Sequence, residues 1–140
     1  MSDFVLDASV VVKCFVPEVH SSEARQWRTV IGNFHAPMFF DVEIANIVWK
    51  KIRRAEITRI QADSILGHVL ALPLTRHADG SLIAAAFDIA DQTGRTVYDS
   101  IYIALAVRLG GQAVTADLRL FNAISATPWK SHIRWVADVP

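Results

Sequence analysis

The chain has 140 residues, the size of one domain around one hydrophobic core, expected to run the whole length 1–140. Hydrophobic side chains make up 52 % of it and mean hydropathy is +0.29, which excludes a disordered chain, and no apolar run reaches the ~18 residues of a bilayer-spanning helix. Lys plus Arg (14) balance Asp plus Glu (14), so net charge neither supports nor excludes a polyanionic partner, while a single cysteine, Cys14, leaves no intrachain disulfide and no cysteine-rich zinc site.

Met1-Ser2-Asp3-Phe4 has neither the basic region nor the long apolar stretch of a signal peptide, so a cytoplasmic location is expected. Phe4-Val5-Leu6 reads as a short strand that ends at Asp7-Ala8-Ser9, where polar side chains suit a helix start. A short helix is expected over Val10 to Phe15, stopped near Pro17. A second opens at Ser21 or Ser22, carries Ala24, Trp27, Val30 and Ile31, and stops at Gly32-Asn33. His35-Ala36 forms a second strand closed by Pro37.

From Phe39 to Arg54 the period is helical, with Phe40, Ile44, Ile47, Val48 and Ile52 on one face and Glu43, Asn46 and Lys50 along another edge. Thr58 and Gln61 have the spacing of a capping box for the next helix, whose inward residues are Ile65, Leu66, Val69 and Leu70. Leu72 to Thr75 reads as a third strand, and Ser81 to Gln92 as a helix ending at Gly94, with Leu82 to Ala90 assigned to the core. Thr96-Val97-Tyr98 reads as a strand before Asp99. An apolar helix then runs to Gly110-Gly111, followed by the strand Ala113-Val114-Thr115, Asp117, and a short helix over Leu118 to Ile124. Strands alternating with helices imply an α/β fold with a mostly parallel sheet and helices on both faces.

On this reading Asp7, Asp99 and Asp117 each follow a strand and precede a helix, so they share the carboxyl edge of the sheet, where ligands bind at a topological switch point. Glu43, early in its helix, reaches the same edge. Carboxylates gathered there repel one another unless a cation neutralises them. An all-oxygen donor set selects a hard ion, Mg²⁺ or Mn²⁺, with Ca²⁺ an alternative. Such an ion suits phosphodiester hydrolysis. The competing explanation is helix capping, which accounts for any one of these aspartates by itself but not for three aspartates and a glutamate at one edge.

Val5-Leu6-Asp7-Ala8-Ser9-Val10-Val11-Val12-Lys13 followed by Pro17-Glu18, then Pro37, Glu43 and Asn46, then Tyr98-Asp99-Ser100-Ile101-Tyr102-Ile103-Ala104-Leu105-Ala106, and finally Val114-Thr115-Ala116-Asp117 resemble, in order, the motifs of PIN-domain ribonucleases of the VapC toxin type. The resemblance spans nearly the whole chain. It implies a three-layer α/β/α sandwich with a mostly parallel five-stranded sheet and a Mg²⁺- or Mn²⁺-dependent endoribonuclease with Asp7, Glu43, Asp99 and Asp117 around the metal. It further implies support of those carboxylates, or of a bound water, by Ser9, Thr115 and Asn46, an RNA substrate, a homodimer, and a small VapB-like antitoxin partner. Cys14 stands where a Trp is often found after this opening.

Lys13, beside the site, can meet an RNA phosphate or pair with a carboxylate, and Lys50 is a candidate phosphate contact as part of the basic run Lys50 to Arg54. Trp27, Trp49, Trp129 and Trp135 are candidates for base stacking, with Trp27 more simply core. The histidines show no metal-ligand spacing. Two other classes compete: a phosphoacceptor domain, which needs an adjacent acidic pair early in the chain and a lysine just after a late strand, whereas Asp3 and Asp7 are not adjacent and no lysine closely follows Val114-Thr115, and a non-catalytic interaction module.

Overall fold

The computed structural model describes residues 1–140. Five strands form one sheet: β1 (Asp3–Leu6), β2 (Asn33–Pro37), β3 (Thr75–His77), β4 (Gln112–Thr115) and β5 (Ile133–Trp135). All neighbouring pairs are parallel, in the order β3-β2-β1-β4-β5. The chain moves outward from β1 to β2 and β3, then crosses back to lay β4 and β5 on the other side of β1. The crevice at the carboxyl ends of β1 and β4 is therefore the topological switch point.

Seven helices connect the strands: α1 (Ala8–Phe15), α2 (Ser21–Gln26), α3 (Phe39–Arg53), α4 (Arg59–Leu70), α5 (Ile83–Thr93), α6 (Val97–Leu109) and α7 (Leu118–Ser125). Alternate residues of a strand face opposite sides. Val5 and Ala113, paired in register, enter the larger core with Ile103 and Leu105 of α6. Phe4 and Val114 face the other way, into a smaller core with Val10 of α1, Ala24 of α2 and Trp27. This is a three-layer α/β/α arrangement. No helix is long and apolar enough to cross a membrane.

The capping box at Thr58 and Gln61 is formed, and Phe40, Ile44 and Val48 make the buried stripe of α3. Gly111 has to be glycine: a Cβ there would lie 2.1 Å from the Asp3 carbonyl oxygen, because β4 enters the sheet hard against the start of β1.

Several local expectations change. Thr96-Val97-Tyr98 is not a strand: the Thr96 side chain accepts from the Asp99 N–H and caps α6, so Val97 and Tyr98 are already helical. The pattern Thr-x-x-Asp is itself a helix-start signal that outweighs the β propensity of two residues. The third strand is Thr75–His77, later than Leu72 to Thr75, because the preceding helix ends only at Leu70. The second helix gives way to a 3₁₀ turn at Trp27–Thr29, which leaves Ile31 83 % exposed. Leu70 of α4 and Ile83 and Phe87 of α5 are also exposed, since each helix buries only one stripe: Ile65 and Val69 in α4, Ala86 and Ile89 in α5. The edge strand β5 had no individual signature.

Candidate active site

The switch point is built by two strand ends that mirror each other. Asp7 follows β1, Asp117 follows β4, and the Asp7 N–H donates to the Val114 carbonyl at 3.0 Å, holding the two ends side by side. A closed set of polar contacts locks the junction. Thr115 Oγ1 donates to Asp7 Oδ2 at 2.7 Å, and Ser9 Oγ donates to the same oxygen at 3.0 Å. In return the Ala116 N–H donates to Ser9 Oγ and the Asp117 N–H to Thr115 Oγ1, both at 3.1 Å. Thr115 is fully buried and Asp7 nearly so, and such groups are tolerated only when their hydrogen bonds are made.

This geometry separates capping from function. Asp7 occupies the N-cap position of α1 but makes no side-chain capping bond; its carboxylate turns to Thr115 and Ser9 instead. The cap of α6 is Thr96, not Asp99. Only Asp117 caps its helix, its Oδ1 accepting from the Arg119 and Leu120 N–H groups.

Glu43 arrives from the second turn of α3, and its Oε1 accepts from the Tyr102 hydroxyl at 2.7 Å. Tyr102 is three residues after Asp99 on α6 and so lies on the same helical face. Arg95, between α5 and α6, completes the cluster: Nη2 is 3.1 Å from Asp99 Oδ2 and 3.5 Å from Asp117 Oδ2.

Burial dominates the electrostatics. Loss of water pushes the Asp7 carboxyl up to about 6 against the opposing pull of Thr115 and Ser9, and the Asp99 charge adds to the rise. Burial likewise raises Glu43 to about 7, assisted by the Asp7 and Asp99 charges and countered by the Tyr102 hydrogen bond. Burial raises Asp99 too, with Arg95 opposing it. Asp7, Asp99 and Glu43 thus feel one another's charge. The donors are all oxygen, as a hard divalent cation requires. Yet in this conformation no three acidic, histidine or cysteine side chains close tightly enough to clasp one ion.

The other sequence candidates divide. Ser9 and Thr115 touch the site; Asn46 and Lys50 are exposed on α3 and make no hydrogen bond to the four carboxylates. Lys13 turns to Glu18, donating to Oε2 at 3.1 Å. Lys51, from the basic run, pairs with Glu18 and Glu56. Trp27 is core, its Nε1–H donating to the Val136 carbonyl, whereas Trp49 is exposed. His77 is hydrogen-bonded to His35, and His35 to Asp3, a chain that includes none of the four carboxylates. Two site residues had no assigned role in the sequence reading, Arg95 and Tyr102. Tyr102, three residues after Asp99 on α6, was signalled by helical spacing, and Arg95, four residues before Asp99 in the link to α6, by its nearness in sequence alone.

The PIN-domain family model matches residues 4–126, which include all four carboxylates. A curated relative from Pyrobaculum aerophilum, named Ribonuclease VapC3, is 32 % identical over 124 residues, covering 87 % of this chain and 95 % of its own. The chain belongs to the PIN-domain family, as a VapC-type member. Two solved structures share the PIN fold. The crystal structure of PAE2754 from Pyrobaculum aerophilum superposes with a TM-score of 0.70 at 24 % identity, covering 96 % of this chain and 84 % of that one. A toxin–antitoxin complex from Klebsiella pneumoniae gives 0.60 at 14 %, covering 93 % and 94 %. Within this PIN domain the matched segment runs from β1 through α7, and β5 extends the sheet beyond it.

Proposed function

We propose that this VapC-type PIN domain, one domain over 1–140, is a Mg²⁺- or Mn²⁺-dependent endoribonuclease and the toxin of a toxin–antitoxin pair. The observation that carries the reading is the convergence of Asp7, Glu43, Asp99 and Asp117 on the β1/β4 switch point, with Asp7 raised to about 6 and Glu43 to about 7 by burial and mutual repulsion. Carboxylates so perturbed lack a counter-charge, and a divalent cation is the one their oxygen chemistry selects. The ribonuclease name of the Pyrobaculum aerophilum relative and the toxin–antitoxin complex from Klebsiella pneumoniae support the substrate and partner assignments.

Asp7, Asp99, Asp117 and Glu43 are the residues that would hold the ion. When bound it supplies Lewis acidity, making a water acidic enough to attack and neutralising charge on the phosphodiester. The chain's own part is orientation and proton transfer. Thr115 and Ser9 both grip Oδ2 of Asp7, so this carboxylate cannot rotate, and its other oxygen has no hydroxyl donor. The capping bonds fix Asp117 in the same way through Oδ1. Glu43, its carboxylate aligned by the Tyr102 hydroxyl, is the side chain placed to take the proton of the attacking water. The partner that restrains it is a small VapB-like antitoxin, and the active species is a cytoplasmic homodimer.

The test is cleavage of structured RNAs with Mg²⁺ or Mn²⁺ by the wild type, Asp7→Ala and Asp99→Ala. Loss of cleavage in both variants is expected. Equal cleavage by all three proteins refutes the site assignment.

A further inference from the structure

Arg95 is the one basic side chain ion-paired with any of the four carboxylates. Its backbone is constrained on both sides. Gly94, at φ +72, ends α5 in the left-handed conformation, and Thr96 caps α6. From this short link the guanidinium spans two helices, since Asp99 lies in α6 and Asp117 caps α7.

Which oxygens it takes matters. Oδ1 of Asp117 is committed to the fold by two backbone N–H groups, and Arg95 faces Oδ2, the oxygen left for a ligand. On Asp99 it holds Oδ2 as well. A single nitrogen, Nη2, serves both carboxylates, while Nε is buried with no hydrogen-bond partner. The pose is therefore not the two-nitrogen fork that makes Arg–carboxylate pairs strong. It neutralises charge while leaving a buried donor unmet, a contact poised to be exchanged. It also gives a physical reason why no three side chains close on a common point: a guanidinium stands between two of the donors.

We propose that Arg95 is an internal counter-ion that competes with the divalent cation for Asp99 and Asp117, so that the site loads only as the cation displaces Arg95 from at least one of them. The inference rests on the metal-dependent reading above and assigns the regulation of that site. Arg95 offsets part of the cluster's negative charge, at Asp99 and Asp117, before the cation arrives and sets the concentration at which it enters.

The experiment is calorimetric titration of Mn²⁺ into the metal-free full-length chain, comparing wild type, Arg95→Gln and Arg95→Lys, with thermal unfolding measured without metal and at saturating Mn²⁺. A partly exposed ion pair of ordinary strength predicts that Arg95→Gln binds Mn²⁺ up to about fivefold more tightly than wild type. Arg95→Lys, which keeps the charge but loses the planar reach to both carboxylates, falls between the two. Arg95→Gln is also expected to melt below wild type without metal and to recover at saturating Mn²⁺. If Arg95→Gln does not fold without metal, the Arg95→Lys affinity decides: tighter than wild type supports the competition. Equal or weaker Mn²⁺ binding by the folded variants overturns it and leaves the metal reading standing. Absence of Mn²⁺ binding in wild type and variants alike overturns both.

Discussion

Replacing Tyr102 by Phe tests the chemistry of Glu43 with little disturbance to packing. Tyr102 is 1 % exposed, so the ring stays in place and one hydroxyl is lost. That hydroxyl donates to Glu43 Oε1 at 2.7 Å and favours the ionised carboxylate. A hydrogen bond to a charged group contributes about 1.5–3 kcal/mol, and one pH unit corresponds to about 1.4 kcal/mol. Tyr102→Phe is therefore expected to raise the Glu43 titration by about one to two pH units above its wild-type position near 7. The chain has glutamates only at 18, 23, 43 and 56, so ¹³C-labelled glutamate in the metal-free protein resolves the titration directly by NMR.

Stability gives an independent readout with a definite sign. Glu43 titrates higher folded, at about 7, than unfolded, at 4.5, so the folded state binds its proton more tightly. Its contribution is complete below the unfolded value and is lost as pH rises from 4.5 to about 7, an interval worth about 3 kcal/mol at most in metal-free protein. In Tyr102→Phe the loss should continue to higher pH. A Glu43 midpoint that stays put or falls in Tyr102→Phe refutes the assignment of Tyr102 as its donor.

Thr115→Val removes the hydroxyl donor to Asp7 without changing side-chain volume much, and is expected to cost about 1–3 kcal/mol by urea unfolding at neutral pH. It should also raise Asp7 further above about 6; unchanged stability would show that Ser9 alone suffices. Mn²⁺ at a hundredfold excess over its dissociation constant should stabilise the protein by about 2.7 kcal/mol, and Asp7→Asn or Asp99→Asn should abolish that gain. A melting temperature indifferent to Mn²⁺ in the wild type counts against the metal. Gly111→Ala places a methyl group 2.1 Å from the Asp3 carbonyl and is expected to cost about 1–3 kcal/mol or more as β4 shifts off β1. A change below about 0.5 kcal/mol would mean that the strand junction is loosely packed.

Much of the site was legible because local chemistry marks it. Asp7 and Asp117 follow apolar runs at strand ends, and Ser9 and Thr115 sit two residues away from them, close enough to hydrogen-bond across the paired strand ends. Glu43 was placed by helical period. Asp99 was found at the right edge for the wrong local reason: it enters on the first turn of α6, behind the Thr96 cap, not at the end of a strand. For Lys13 the sequence left an RNA phosphate and a carboxylate both open; the turn after α1 brings Glu18 to it as the partner. Arg95 and Tyr102 were visible as letters, but their roles depend on helices α3 and α7 arriving beside α6.

The sequence by itself determined the alternation of strands and helices, the parallel sheet, and the candidacy of four carboxylates, since hydrophobic period and strand-end position are local properties. Tertiary structure alone decided which oxygens are committed and which are available. Capping claims one oxygen of Asp117, Thr115 and Ser9 claim one of Asp7, and Arg95 takes one on Asp99 and the one left on Asp117. The Asp117 cap, the Ser9 bond and the Arg95–Asp99 pair are local, but the Thr115 bond to Asp7 and the reach of Arg95 to Asp117 join elements far apart in the chain, where charges are close and water is scarce.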